Sequence, residues 1–332
     1  MSIQLTIGMW TRDLTDPLLH GEVEPEGVDA TVVSEYPPRR HRRFFERGDF
    51  DVCEVSLASY LASRTHPEEY PFTAIPVFPC KRFPHSFFYK REDAGIEDPS
   101  DLAGKKVGIQ SWQTTRDAWM RGIAAEHYGL DLTEVQWYRR KEDDVPLSIP
   151  DRFDVQSIPG DQGGEAIEEP DDLKEMLLRG DLDAAMDPAN AVLHAVVESD
   201  DTSLMFDDSL SVEQEYYRET GIHPPMHVVA IRDEVLEAHP RVAVDVYDAF
   251  CDARDLCLER AQSPARLSSL TWGHLHRIEQ DRVLGTDAWE YGLTDRTVPE
   301  LEKYMEYAES QGLIPHRYDL DEVFVDCSVD RT

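Results

Sequence analysis

Apolar and polar residues alternate over Ile3–Met9 with the period of two that a half-buried strand requires, and the pattern breaks at Trp10, Thr11, Arg12 and Asp13 into a polar turn. A second strand over residues 28–33 is introduced by Pro25, Glu26 and Gly27. A third, DVCEV over residues 51–55, runs directly into SLASYLASR, a helix that opens at Ser56. Between them, Arg39 to Arg47 places Phe44 and Phe45 on one basic amphipathic helix. The order β-α-β-α predicts a parallel sheet with helices on its faces.

A fresh series begins after the aromatic strand predicted over residues 85–89. Strand 106–109 leads through Ser111, Trp112 and Gln113 into a helix over 114–128. Residues 139–172 are crowded with charge, Pro and Gly, including the run EAIEEPDD, and read as solvated loop. Helix 173–179, strand 182–186, strand 228–231 and two later amphipathic helices follow. Two α/β lobes result, the second inserted into the first: residues 1–92 with 203–332, and residues 93–202. Strand ends are where such sheets meet ligands.

Composition narrows the chemistry. Of 332 residues, 67 are Asp or Glu and 33 are Lys or Arg, a net charge of −34 that repels phosphate backbones and disfavours nucleic-acid binding. Only 7 of the basic residues are Lys and 26 are Arg, the bias expected of a salt-adapted, halophilic protein with an acidic surface. With 41% hydrophobic residues the chain can still build a core. No stretch approaches the ~20 apolar residues of a membrane span. Five cysteines without a CxxC pair suggest reduced thiols. The start MSIQLTIGMW lacks a basic, then apolar, leader pattern, so a cytoplasmic location is expected. Nothing excludes a homo-oligomer.

Glycine-rich phosphate loops are missing, which argues against a nucleotide cofactor, and there is no GxSxG elbow. His223-Pro-Pro-Met-His227 imitates a zinc-binding i, i+4 pair, but its two prolines forbid the helix that would align the histidines, and no metal is expected. Cys53 has no partner set for a nucleophile and reads as a small buried residue.

The ordered segments PEGVDATVV (25–33), FDVCEVSLASYLASR (50–64), AIPVFPCKRFPHSFFY (74–89), DLAGKKVGIQSWQTTRDAWMRG (101–122), EQEYYRETGIHPPMHVVAIR (213–232) and ESQGLIPHR (309–317) resemble the 4,5-dihydroxyphthalate decarboxylase family. The resemblance covers roughly residues 1–320. It implies the two-lobed fold of type 2 periplasmic solute-binding proteins, and decarboxylation of a hydroxylated aromatic acid, without an organic cofactor, in a cleft between lobes. The alternative it leaves is a solute-binding protein that captures a small organic anion for an ABC transporter. Aromatic decarboxylation needs a cation for the acid group and groups that move protons at the ring. On this basis His85 and His227 are candidate proton carriers, His227 ahead of His223. Glu54 is a base or a histidine-orienting carboxylate, and Arg12 a carboxylate clamp, with Arg82 as a second basic residue. Ser56, Ser111, Gln113 and Tyr217 are candidate substrate contacts, and Trp112 a ring-stacking one.

Overall fold

Strand patterning in the sequence becomes, in the computed structural model, eleven strands among the described residues, which are 2–158, 171–187, 190–263 and 270–327. They are β1 (Ile3–Met9), β2 (Val28–Ser34), β3 (Val52–Ser56), β4 (Phe72–Ile75), β5 (Phe88–Arg91), β6 (Lys106–Ile109), β7 (Gln136–Arg139), β8 (Asp154–Ser157), β9 (Ala184–Met186), β10 (Thr202–Leu204) and β11 (His227–Arg232). The chain divides into two compact units, the first made of residues 1–81, 220–302 and 318–332, the second of 82–219 and 303–317.

In the first unit the sheet order is β2-β1-β3-β11-β4, with β1 parallel to β2 and β3, and β11 antiparallel to both its neighbours. Every residue of β3 is buried, as a central strand covered on both faces must be. Helix Leu57–Ser63 begins at once, its first turn capped by the Ser56 hydroxyl accepting from the Ser59 amide. Strands β1 and β3 therefore end at the same sheet edge, where β11 begins: His227 lies opposite Ser56 in register. That edge is the place where the order of a doubly wound sheet reverses about β1 and leaves a crevice.

The second unit holds the sheet β10-β5-β9-β6-β7-β8. Its strand β5 pairs with β9 and β10, so the aromatic segment belongs to this unit. The chain accordingly leaves the first unit after Lys81 and re-enters it at Thr220, instead of near 92 and 203. Residues 85–87 form a single helical turn after Pro84, and only Phe88–Arg91 is extended. The stretch 139–172 is not all loop either, since β8 adds an edge strand there, its side chains largely exposed. Most of EAIEEPDD, residues 165–170, lies outside the described residues.

Residues 303–317 return to the second unit and complete its core. Trp112 Nε1 donates to the Gln311 carbonyl at 3.0 Å, Arg121 Nε donates to Gln311 Oε1 at 2.8 Å, and the Trp119 and Tyr304 rings lie 5.3 Å apart. Helix Thr115–Tyr128 can approach helix Thr297–Ser310 because position 122 is glycine: an added Cβ would stand 2.2 Å from the Tyr307 ring. Gly122→Ala is accordingly expected to destabilise the protein by about 1–3 kcal/mol through overpacking, although alanine is the better helix former. A urea midpoint equal to or above that of the parent would contradict this packing.

Candidate functional site

At the shared edge of β1, β3 and β11, a buried carboxylate collects its partners from three segments. Glu54, in the middle of β3, has no exposed side-chain surface. Its Oε2 accepts from the Trp10 amide at 2.9 Å and lies 3.5 Å from Arg40 Nη2. Its Oε1 meets Arg12 Nη2 at 2.9 Å and His227 Nδ1 at 2.5 Å. Arg40, itself fully buried, is held rigidly, its Nε donating to the Glu54 carbonyl and its Nη1 to the Glu35 carbonyl, both at 2.9 Å. His41 packs edge-on against the His227 ring, centroids 5.4 Å apart, and its Nε2 is 3.4 Å from Arg40 Nη2.

Electrostatics follow from this geometry. Burial alone would push the Glu54 carboxyl up, but Arg12 and Arg40 outweigh it and hold the group well below the usual carboxylate range. For His227, burial pushes the imidazole down to about 3 against the opposing pull of Glu54, with Arg12 and His41 adding to the depression. At neutral pH the cluster is thus two guanidinium cations, one carboxylate and a neutral histidine, a net charge of +1. An ionised carboxylate can only accept, so the network assigns the hydrogen to Nδ1 and leaves the Nε2 lone pair of His227 available. Arg12 Nη2, 3.4 Å from Nδ1, is then a second donor sharing the same acceptor oxygen. Such a site can attract an anion and exchange a proton beside it.

Arg12, Glu54 and His227 are therefore brought together, with Ser56 directly across the ladder from His227, although the Ser56 hydroxyl also caps a helix. The other candidates have different surroundings. His85 belongs to the second unit, buried between the rings of Phe206 and Tyr216 at 5.7 and 5.3 Å, with its Nδ1 unpartnered among the described residues. Burial, then His127, pushes it down to about 4. Arg82 is exposed, its guanidinium 5.1 Å from the Phe87 ring centre, and the Tyr217 ring contacts Phe83.

The Ser111 hydroxyl accepts from the Thr114 amide in the turn before helix Thr115–Tyr128, and the Gln113 side chain bonds both backbone groups of Val145. Trp112 is wholly buried in the second unit's core, with Arg121 3.9 Å from its ring centre and Phe153 at 4.9 Å. A stacking role for it is not compatible with faces already occupied. His223 donates from Nδ1 to the Ala288 carbonyl in the loop that precedes β11, away from any helical pairing with His227. Sequence reasoning missed Arg40 and His41. Their signal was the run Arg39-Arg40-His41-Arg42-Arg43, five basic residues in an acidic chain, read there only as a helix face.

Comparison with known proteins adds the following. The family described as NMT1/THI5 like matches residues 24–178. A 4,5-dihydroxyphthalate decarboxylase from Comamonas testosteroni is 29% identical over 339 residues, covering 99% of this chain and 98% of the relative. One from Pseudomonas putida is 34% identical over 194 residues, covering 57% of this chain and 70% of the relative. Among solved structures, the periplasmic sulfonate-binding protein SsuA from Methylobacillus flagellatus KT is similar with a TM-score of 0.59 at 11% identity, over 98% of this chain and 92% of that one. At that identity the likeness establishes the fold, two α/β units of the periplasmic-binding-protein kind.

Removing the carboxylate leaves two guanidinium groups without their charge partner. Glu54→Ala should cost about 3–5 kcal/mol in urea unfolding at neutral pH. A loss under about 1 kcal/mol would mean the cluster is not the buried ion network described.

Proposed function

Because the chain belongs to the 4,5-dihydroxyphthalate decarboxylase family, we propose that it removes CO2 from a hydroxylated aromatic carboxylate such as 4,5-dihydroxyphthalate, with His227 as the proton-transfer residue and Arg12 as the carboxylate clamp. The observation that carries this reading is the Glu54–His227 contact at 2.5 Å, flanked by Arg12. In the reaction the bond from ring carbon to carboxylate breaks, its electron pair returns to the ring, and a proton takes the vacated place, so one proton is consumed for each CO2 released. Loss of the para hydroxyl proton raises electron density at that carbon. The free Nε2 of His227 is the lone pair toward which such a proton can pass, and Glu54 opposes the burial that disfavours the imidazolium. Arg12 fixes the acid group by a charge-assisted hydrogen bond.

The experiment is to incubate the protein with 4,5-dihydroxyphthalate and follow CO2 and the monocarboxylic product. Turnover is expected, and His227→Gln should lower kcat by about a hundredfold or more with the fold intact. Unchanged kcat in that variant would remove His227 from the chemistry. A second reading, capture of a small organic anion without reaction, is favoured by the SsuA likeness and by the net positive cluster. Tight binding with no CO2 would establish it instead.

A cytoplasmic setting accords with five cysteines present as free thiols. No helix of the described residues is long and apolar enough to cross a membrane. The charge of −34 and the scarcity of lysine support adaptation to concentrated salt. Raising KCl from about 0.1 M to about 1 M shortens the screening length from about 10 Å to about 3 Å, and the thermal midpoint should rise as self-repulsion is screened. A midpoint that stays level or falls would count against halophily.

A further inference from the structure

Apolar side chains reach solvent unevenly in this protein. Of the eight large ones exposed among the described residues, four lie between positions 270 and 278: Leu270 (67%), Trp272 (67%), Leu275 (52%) and Ile278 (62%). The last three stand at steps of three, on one face of the helix Gly273–Leu284 and the residue that precedes it. Only Leu284 of that helix is buried. Twelve residues are marginal as an isolated helix, and in proteins the packing of an apolar face supplies most of the missing stability. Here the apolar face is turned to solvent.

Charge is distributed just as unevenly. Asp and Glu make up 67 of the 332 residues, yet positions 260–278 contain neither. The helix holds two acids and two arginines, and each acid has its arginine: Glu279 with Arg282 at 2.7 Å, Asp281 with Arg277 at 3.6 Å. Two copies of a chain with a net charge of −34 repel one another over most of their surface, and can approach closely only where acids are missing or paired. A strongly charged partner would find no opposite charge on this face. A stripe that is apolar and neutral is complementary to itself, which is the condition a two-fold contact sets.

We propose that helix Gly273–Leu284 is the contact of a two-fold homodimer, in which Trp272, Leu275 and Ile278 of one copy pack against the same stripe of a second. Salt screens the repulsion between the two anionic bodies, so the contact tightens as salt is raised, the reverse of a contact built on ion pairs.

Sedimentation velocity on the full chain, from low to high micromolar concentration in about 0.1 M and about 1 M KCl, tests this. A species of twice the chain mass should grow with concentration and with salt. Trp272→Ser and Ile278→Glu should each raise its dissociation constant by about tenfold to a hundredfold, as the loss of a central apolar anchor does. Their urea midpoints in dilute solution should match the parent's, because neither side chain is buried within one copy. Val197→Ser, at an apolar residue 58% exposed but outside the stripe, should leave the dimer unchanged. A parent that sediments as one chain in both salts, a dimer that persists in either stripe variant, a dimer that loosens as salt rises, or an equal loss in Val197→Ser would each overturn the contact. Flotation with vesicles of uncharged phosphatidylcholine completes the test: a parent that stays a single chain and binds them through Trp272 would overturn the dimer and give this face to a membrane.

Discussion

A carboxylate without water must find its positive charge in the protein, and the first unit is organised around that requirement at Glu54. Ionised acid groups are tolerated in a strand covered on both faces only when cations and donors surround them. Here they come from distant parts of the chain: Arg12 after β1, Arg40 from a basic helix, the Trp10 amide, and His227 at the start of β11. Because each oxygen is already engaged, the histidine has one orientation and one tautomer. The open lone pair at Nε2 is thus a by-product of satisfying charge at Oε1.

Topology makes this convergence inexpensive in chain length. Parallel β1 and β3 deliver their last residues to one edge, and antiparallel β11 brings its first residue there. The same architecture occurs in a sulfonate-binding protein of 11% identity. A shared scaffold at so low an identity fixes the fold and leaves function to the side chains.

What the sequence disclosed was whatever depends on neighbours in sequence. The patterns of β1 and β3 are legible in the sequence, so Arg12 could be placed just after one strand and Glu54 within another, although Glu54 lies mid-strand and not at its end. β8 escaped notice because an exposed edge strand has no apolar face to reveal it. The turn at 85–87 was read as strand from its aromatic residues, a burial signal common to both conformations. Trp112, on a polar loop, suggested a ring-stacking face, yet long-range packing against Arg121 and Phe153 claims it. Arg40 and His41 acquire meaning only through contacts that no local pattern encodes.

The return of residues 303–317 to the second unit has a consequence for biosynthesis. Arg121 and Trp112 find their partner in Gln311, almost two hundred positions downstream. Until that stretch leaves the ribosome, Arg121 Nε and the Trp112 indole N–H lack the acceptors they have in the folded protein, and the packing of the inserted unit is unfinished. Folding of this unit therefore waits on residues 303–317, so premature termination upstream of Gln311 would strip acceptors from a part of the molecule already translated.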